Sequence, residues 1–153
     1  MDDVLIEDTY DWYAQDDAGN VWYMGEQVDN CNYDDEGMLL NITHEGDWEA
    51  GQDVAGLGTI PWPGYLMKAS PMPGDTYHQE YYPGEAEDMA EVVALNVAVT
   101  LADDTMYSCL KTRDFTPLDP ESNEYKYYAS GVGLVLEEAV AGGERVELVG
   151  MEP

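Results

Sequence analysis

The sequence predicts an all-β fold: a curved antiparallel meander sheet or partly open β-barrel, with one long, ordered loop rich in Gly and Pro. Three observations lead there. Short runs of β-branched and aromatic residues recur about every eight to twelve positions, turn residues separate them, and no heptad or internal repeat is evident. The 153 residues suit a single β domain spanning 1–153 with a sizeable core, and the 44% apolar content is that of a globular chain.

Val4-Leu5-Ile6 leads into the first strand, which belongs to the clearest local structure of the chain, Tyr10 to Glu26. Two aromatic runs there flank Asp16-Asp17-Ala18-Gly19-Asn20, a turn composition. A type I turn at Asp17-Ala18 with Gly19 left-handed pairs Asp16 with Asn20. That register sets Ala14 opposite Trp22, Tyr13 opposite Tyr23 and Trp12 opposite Met24. Period-2 alternation then gives one face Trp12, Ala14, Trp22 and Met24, and the other Asp11, Tyr13, Gln15, Val21 and Tyr23.

Gln27 to Glu36 is polar and acidic, and Asp34-Asp35-Glu36-Gly37 reads as the turn before a strand at Met38 to Thr43. Trp48 to Gly51 closes that section. Residues 51–74 hold Gly51, Gly56, Gly58, Gly64 and Gly74 with Pro61, Pro63, Pro71 and Pro73, a density that argues against helix or a central strand. Ile60 to Met67 is too apolar for a free linker. The stretch is therefore expected to lie across a sheet as an irregular cover, anchored by Trp62.

Strand pattern resumes at Thr76 to Tyr82, which ends at Pro83-Gly84. Met89 to Val99, with its valines, reads as strand rather than helix. Asp103-Asp104 marks a turn into Met106 to Arg113. After a Pro-containing loop at Thr116 to Asn123 come three short strands, Glu124 to Tyr128, Leu134 to Val140 and Arg145 to Val149.

Charge is the outstanding property. Thirty-three Asp and Glu face five Lys and Arg, a formal net charge of -28. Nucleic acid and anionic membrane need a basic surface and are argued against as partners. Cations, cationic partners or a salty medium suit this chain, since self-repulsion on that scale needs screening. Salt adaptation alone also accounts for the acidity. Cys31 and Cys109 have no metal-ligand spacing; they either form one bridge in an oxidising compartment or stay free. No run approaches the ~20 apolar residues of a membrane span.

Several blocks resemble a family of uncharacterised bacterial β-domain proteins, mostly secreted or envelope-attached. They are Glu7-Asp8-Thr9-Tyr10-Asp11-Trp12-Tyr13-Ala14-Gln15 with Gly19-Asn20-Val21-Trp22-Tyr23, then Gln79-Glu80-Tyr81-Tyr82-Pro83-Gly84-Glu85-Ala86-Glu87-Asp88, and Tyr127-Tyr128-Ala129 with Gly131-Val132-Gly133-Leu134-Val135. More distantly the last block is similar to periplasmic curved-sheet domains of lipoprotein-carrier type. The resemblance implies a secreted or envelope location, brings no activity with it, and implies further β sequence upstream, hence an open sheet edge.

Among candidate sites, Glu85, Glu87 and Asp88 after the Pro-Gly turn gather the oxygen ligands that Ca²⁺ takes, and Asp34, Asp35 and Glu36 form a second acidic turn. Neither has EF-hand spacing, and acidic turns are routine in so acidic a chain. Trp12, Tyr13, Trp22 and Tyr23 offer an aromatic ligand or partner surface, unless both sheet faces are covered. Carboxylate pairs can be drawn anywhere among so many acids. His44 and His78 sit in no zinc-like cluster, and neither a nucleophile elbow nor a dinucleotide loop occurs, so no catalytic residue is assigned. The expectation is a non-catalytic secreted or envelope binding or assembly domain engaging cations, with Ca²⁺ first among them. Two alternatives are a carrier of an apolar ligand or lipid in a half-barrel cavity, and a homo-oligomer built through an open strand edge.

Overall fold

The computed structural model describes residues 4–143 and 145–151. It is all-β, with antiparallel pairing throughout and no helix among the described residues. The strands fall into two open sheets, neither closed into a barrel. The chain divides into two compact units. The first holds the chain up to Ala69 together with Gln79–Glu87, and the second holds Ser70–His78 and everything from Asp88 onward.

The first sheet contains β1 (Glu7–Gln15), β2 (Val21–Tyr33), β3 (Leu39–Thr43), β4 (Trp48–Glu49), β5 (Trp62–Met67) and β7 (Glu80–Tyr81). Its path is β1-β2-β5-β7, with β3 and β4 also paired to β2. The opening hairpin turns as its composition requires: Asp16 N–H donates to Asn20 O at 3.0 Å, Gly19 N–H to Asp16 O at 2.9 Å, and Gly19 has φ +92°. Ala14 faces Trp22 and Tyr13 faces Tyr23, as the pattern predicts, but Trp12 faces Gly25 rather than Met24. A bulge between Trp12 and Tyr13 causes this shift. Its site is fixed by packing, because a Cβ on Gly25 would stand 2.5 Å from Trp48 O and 2.9 Å from Glu49 Cα. The close approach of β4 therefore demands glycine there. β2 also runs to Tyr33, absorbing most of the acidic stretch that reads as a connection. The Asp34 to Gly37 turn leads into β3 as expected, while residues 4–6 lie outside the strand itself, Ile6 O accepting from Cys31 N–H at 2.9 Å.

Residues 51–74 depart most from expectation. Trp62–Met67 forms β5 inside the stretch expected to be irregular. Proline is tolerated because each residue of β5 pairs on one side only: Trp62 and Pro63 with β7, and Gly64, Tyr65 and Met67 with β2. Trp62 is 68% exposed and anchors nothing; fully buried Pro61 does, its carbonyl accepting from Gly51 N–H at 3.0 Å. Asp53 ties the loop down as well, accepting from Leu57 and Gly58 N–H at 2.7 Å each and from the Tyr82 hydroxyl at 2.6 Å. The core of this unit is Tyr23, Trp48, Tyr82 and Ala86.

The second sheet runs β12-β11-β10-β9-β8-β6, with β6 (Thr76–His78), β8 (Met89–Thr100), β9 (Met106–Phe115), β10 (Asn123–Ala129), β11 (Gly133–Ala139) and β12 (Arg145–Glu147). This is the expected meander from β8 onward. Thr76 to Tyr82 is not one strand, because Gln79 divides it and its two halves join different sheets. β8 bulges where Asn96 takes φ +56°. Val99, Leu101, Cys109, Tyr127, Ala129, Val135 and Leu136 form its core.

Replacing Gly25 by Ala should lower unfolding stability in urea by about 2–4 kcal/mol, since backbone atoms must move to admit the methyl group. Gly51→Ala, where a Cβ meets nothing within 4 Å, isolates the cost of a positive φ alone and should lose about 1 kcal/mol. Equal losses in the two variants would refute the packing explanation of the bulge.

Candidate functional site

β1 is a nine-residue strand in which every residue but Thr9 is exposed, and among the described residues it pairs with β2 alone. Strand alternation puts Glu7, Thr9, Asp11, Tyr13 and Gln15 on one face and Asp8, Tyr10, Trp12 and Ala14 on the other. Tyr10, Trp12 and Tyr13 keep 65%, 45% and 49% of their surface in solvent. The expected aromatic set is thereby split. Trp12 and Tyr13 are open, whereas Tyr23 is buried, stacked on Tyr13 at 5.2 Å and edge-on to Trp48 at 5.3 Å. Trp22 lies on the opposite face, its ring 4.1 Å from Tyr65 and its N–H donating to Asp16 at 3.0 Å.

Beneath Tyr13 the hydroxyl of Tyr23 lies 2.5 Å from an Asp11 oxygen and 2.9 Å from a Glu26 oxygen, two carboxylates that face each other across β1 and β2. One phenolic proton serves one of them at a time. Burial, followed by the Asp11, Glu26 and Glu80 charges, pushes both tyrosines far above the ordinary phenol range. They act as hydrogen-bond donors and not as bases or nucleophiles.

The acidic turns use part of their own charge. Asp34 Oδ1 accepts from Glu36 and Met38 N–H at 3.0 and 2.8 Å, and Glu87 Oε1 accepts from Gly84 N–H at 2.8 Å. Asp35, Glu36 and Glu85 are exposed, while Asp88 belongs to the second unit. Among the described residues no group of three or more His, Cys, Asp or Glu is placed to hold a metal ion. His44 approaches Asp29 at 2.9 Å and the Val28 carbonyl at 3.1 Å. Cys31 and Cys109 are free thiols, one half-buried on β2 and the other buried in the core of the second sheet.

The second sheet holds a cluster that sequence reasoning missed. Lys126 on β10 has its ammonium 3.9 Å from Asp114 on β9, 3.8 Å from Glu124 and 3.6 Å from Glu137 on β11. Asp114 is buried and accepts from Thr112 Oγ1 at 2.5 Å. Burial pulls the Lys126 pKa down, but Asp114, Glu137, Glu124 and Asp88 more than reverse this, so the ammonium stays charged. Glu124 moves the other way. Its burial outweighs the pull of Lys126, and repulsion from Glu137 and Asp114 adds to it, lifting the carboxyl to about 7. Glu124, Glu137, Glu121, Ser122 and Asn123 line a cavity of about 280 Å³ beside it. Only alternation marks this group in the sequence, Glu124 and Lys126 falling on one face of a tyrosine-rich strand; its other members come from β9 and β11. A second cavity of about 200 Å³ lies along β8, β10 and β11. Both cavities are lined by residues of the second unit.

No family model, curated protein or solved structure matches this chain.

The raised Glu124 pKa fixes the sign of a pH effect. A carboxyl whose folded pKa exceeds its unfolded value stabilises the fold fully below the unfolded pKa and loses that contribution as pH rises through the folded one. Stability should thus fall between about pH 4.5 and 7 on this account. Glu124→Gln, which keeps the neutral shape, should flatten that fall and be the more stable by about 1 kcal/mol at pH 8, the partial exposure of Glu124 having reduced the full linkage value. Lys126→Met should cost about 3 kcal/mol at pH 8 by stranding three carboxylates, and clearly less at pH 5. Urea titrations of both variants at the two pH values check these signs.

Proposed function

We propose that this chain is a non-catalytic binding or assembly domain, acting outside the cytoplasm, whose acidic surface engages cationic groups. The observation that carries the reading is β1: exposed along its length, bearing Glu7, Asp8 and Asp11 beside the open rings of Tyr10, Trp12 and Tyr13. Such rings add cation–π and apolar contact to what the carboxylates attract. Its neighbours supply little competing charge, since Lys68 is the single Lys or Arg of the first unit. The protonated state of Tyr13 and Tyr23 supports binding in preference to acid–base chemistry. The extracytoplasmic location rests on the likeness of the sequence blocks to exported β-domains. Ca²⁺ belongs to this reading as a cation held by exposed carboxylates in general, hard oxygen ligands being what it takes.

A Lys-rich peptide should bind at low salt and lose roughly tenfold or more in affinity between about 50 and 500 mM NaCl. Changing Glu7 and Asp11 to Gln and Asn should weaken that binding, whereas Asp119→Asn, remote in sequence and in the other unit, should not. Equal binding by parent and double variant would sink the assignment to β1. At constant ionic strength Ca²⁺ should raise the melting midpoint and EDTA reverse it; an unchanged midpoint removes Ca²⁺ from the reading.

A further inference from the structure

The pairing of β1 determines more than which side chains are open. At one end of the hairpin Asp16 N–H bonds to Asn20 O at 3.0 Å, and at the other Cys31 N–H bonds to Ile6 O at 2.9 Å. Antiparallel ladders alternate, so residues two apart on a strand share the same direction of backbone bonding. The two ends agree once the bulge opposite Trp12 is allowed for. Even-numbered residues of β1 bond to β2, and the N–H and C=O groups of Glu7, Thr9, Asp11, Tyr13 and Gln15 point to the outer edge.

That edge lacks the usual guards against strand addition: β1 contains no proline and no lysine, and its bulge lies on the β2 side. Its acidity is the one guard present, and it is selective. A second copy of β1 laid alongside would set Glu7, Asp8 and Asp11 against the same charges, in a chain of net charge -28. An extended basic segment meets opposite charge instead.

We propose that the outer edge of β1 receives an extended strand from a partner protein, one that alternates Lys or Arg with apolar residues, as an additional strand of the first sheet. The five outward backbone positions supply the main-chain ladder. Because such a strand puts its basic residues on one face and its apolar residues on the other, Glu7 and Asp11 pair with the basic residues while Tyr10 and Trp12, on the opposite face, pack against the apolar ones. The inference rests on the reading that the acidic surface engages cationic groups, and adds to it the geometry of the partner.

Three peptides of about ten residues, long enough to cover the strand, separate the two ideas: one alternating Lys and Val, the same peptide N-methylated at alternate residues, and one alternating Glu and Val. The first should bind, and on binding the amides of Thr9, Asp11 and Tyr13 should exchange roughly tenfold more slowly by NMR. The N-methylated peptide keeps the charge but cannot form the ladder, and should bind about tenfold or more weakly. Thr9→Pro, which removes an outward N–H that β2 does not use, should weaken the first peptide while leaving the exchange of the even-numbered amides unchanged. Equal binding of both basic peptides without protection of the outward amides would overturn strand addition and leave the cation-binding reading standing. Failure of both to bind above the Glu-Val peptide would overturn the two together. Protection of the outward amides in the free protein, with a dimer by light scattering, would show that the edge belongs to a second copy and would also overturn the proposal.

Discussion

The constraint on which this structure depends is the disposal of five basic residues among thirty-three acidic ones. Four of the five lie in the second unit, and each is engaged within it. Lys126 is surrounded by Asp114, Glu124 and Glu137; Arg145 binds Glu138 and Glu147. Arg113 approaches Glu91 at 3.8 Å with its guanidinium 4.7 Å from the Phe115 ring, and Lys111 lies 3.3 Å above Tyr125. Partly desolvated carboxylates, where repulsion is strongest, thus receive the scarce cations. Elsewhere the backbone substitutes for them. Asp16, Asp53 and Asp103 accept peptide N–H groups in their own turns, and their carboxyls lie below the ordinary range: Asp16 at about 2, chiefly through the Asn20 side chain and the Trp22 indole, Asp53 chiefly through the Tyr82 hydroxyl, and Asp103 through the Thr105 N–H. An acidic chain folds here partly because its turns are stabilised by carboxylates that stay ionised.

What could be read in advance follows from the range of the interactions concerned. The turn at Asp16 to Asn20, the pairs Ala14–Trp22 and Tyr13–Tyr23, and the meander from β8 are encoded by local chemistry and period-2 alternation, and they are seen. The Trp12–Met24 pair fails because the bulge answers to β4, more than twenty residues downstream of Gly25. β5 was hidden by Pro61 and Pro63, whose prohibition applies to a residue bonded on both sides; here none is. The division of Thr76 to Tyr82 at Gln79 is likewise a matter of tertiary partners, because the alternation on either side of it is unbroken.

The site was legible to a similar degree. That the aromatics near the start would be open could be seen for Trp12 and Tyr13, while Tyr23 was lost to the core because Trp48 and Tyr82 close over its face. Adjacent aromatic pairs show that two faces are aromatic, without saying which one a distant strand will cover. The Lys126 cluster needed three strands in register before its charges met. A sequence in which any two acids can be paired gives no reason to single out Asp114 and Glu137.

The two units handle the same excess charge in different ways. In the second unit opposite charges are brought together inside the sheet, Lys126 lying among Asp114, Glu124 and Glu137. The first unit has Lys68 alone among Lys and Arg to set against its carboxylates, and it places Glu7, Asp8 and Asp11 on a long strand that pairs with β2 alone among the described residues. Repulsion there is relieved by solvent and salt, so it costs little while nothing is bound. The same exposure raises what a cationic strand gains on arrival, because it meets ionised partners whose charge is still available to it. In the strand addition proposed above, acidity that would be only a burden in a closed sheet serves at an open edge to admit one class of strand and turn away copies of itself.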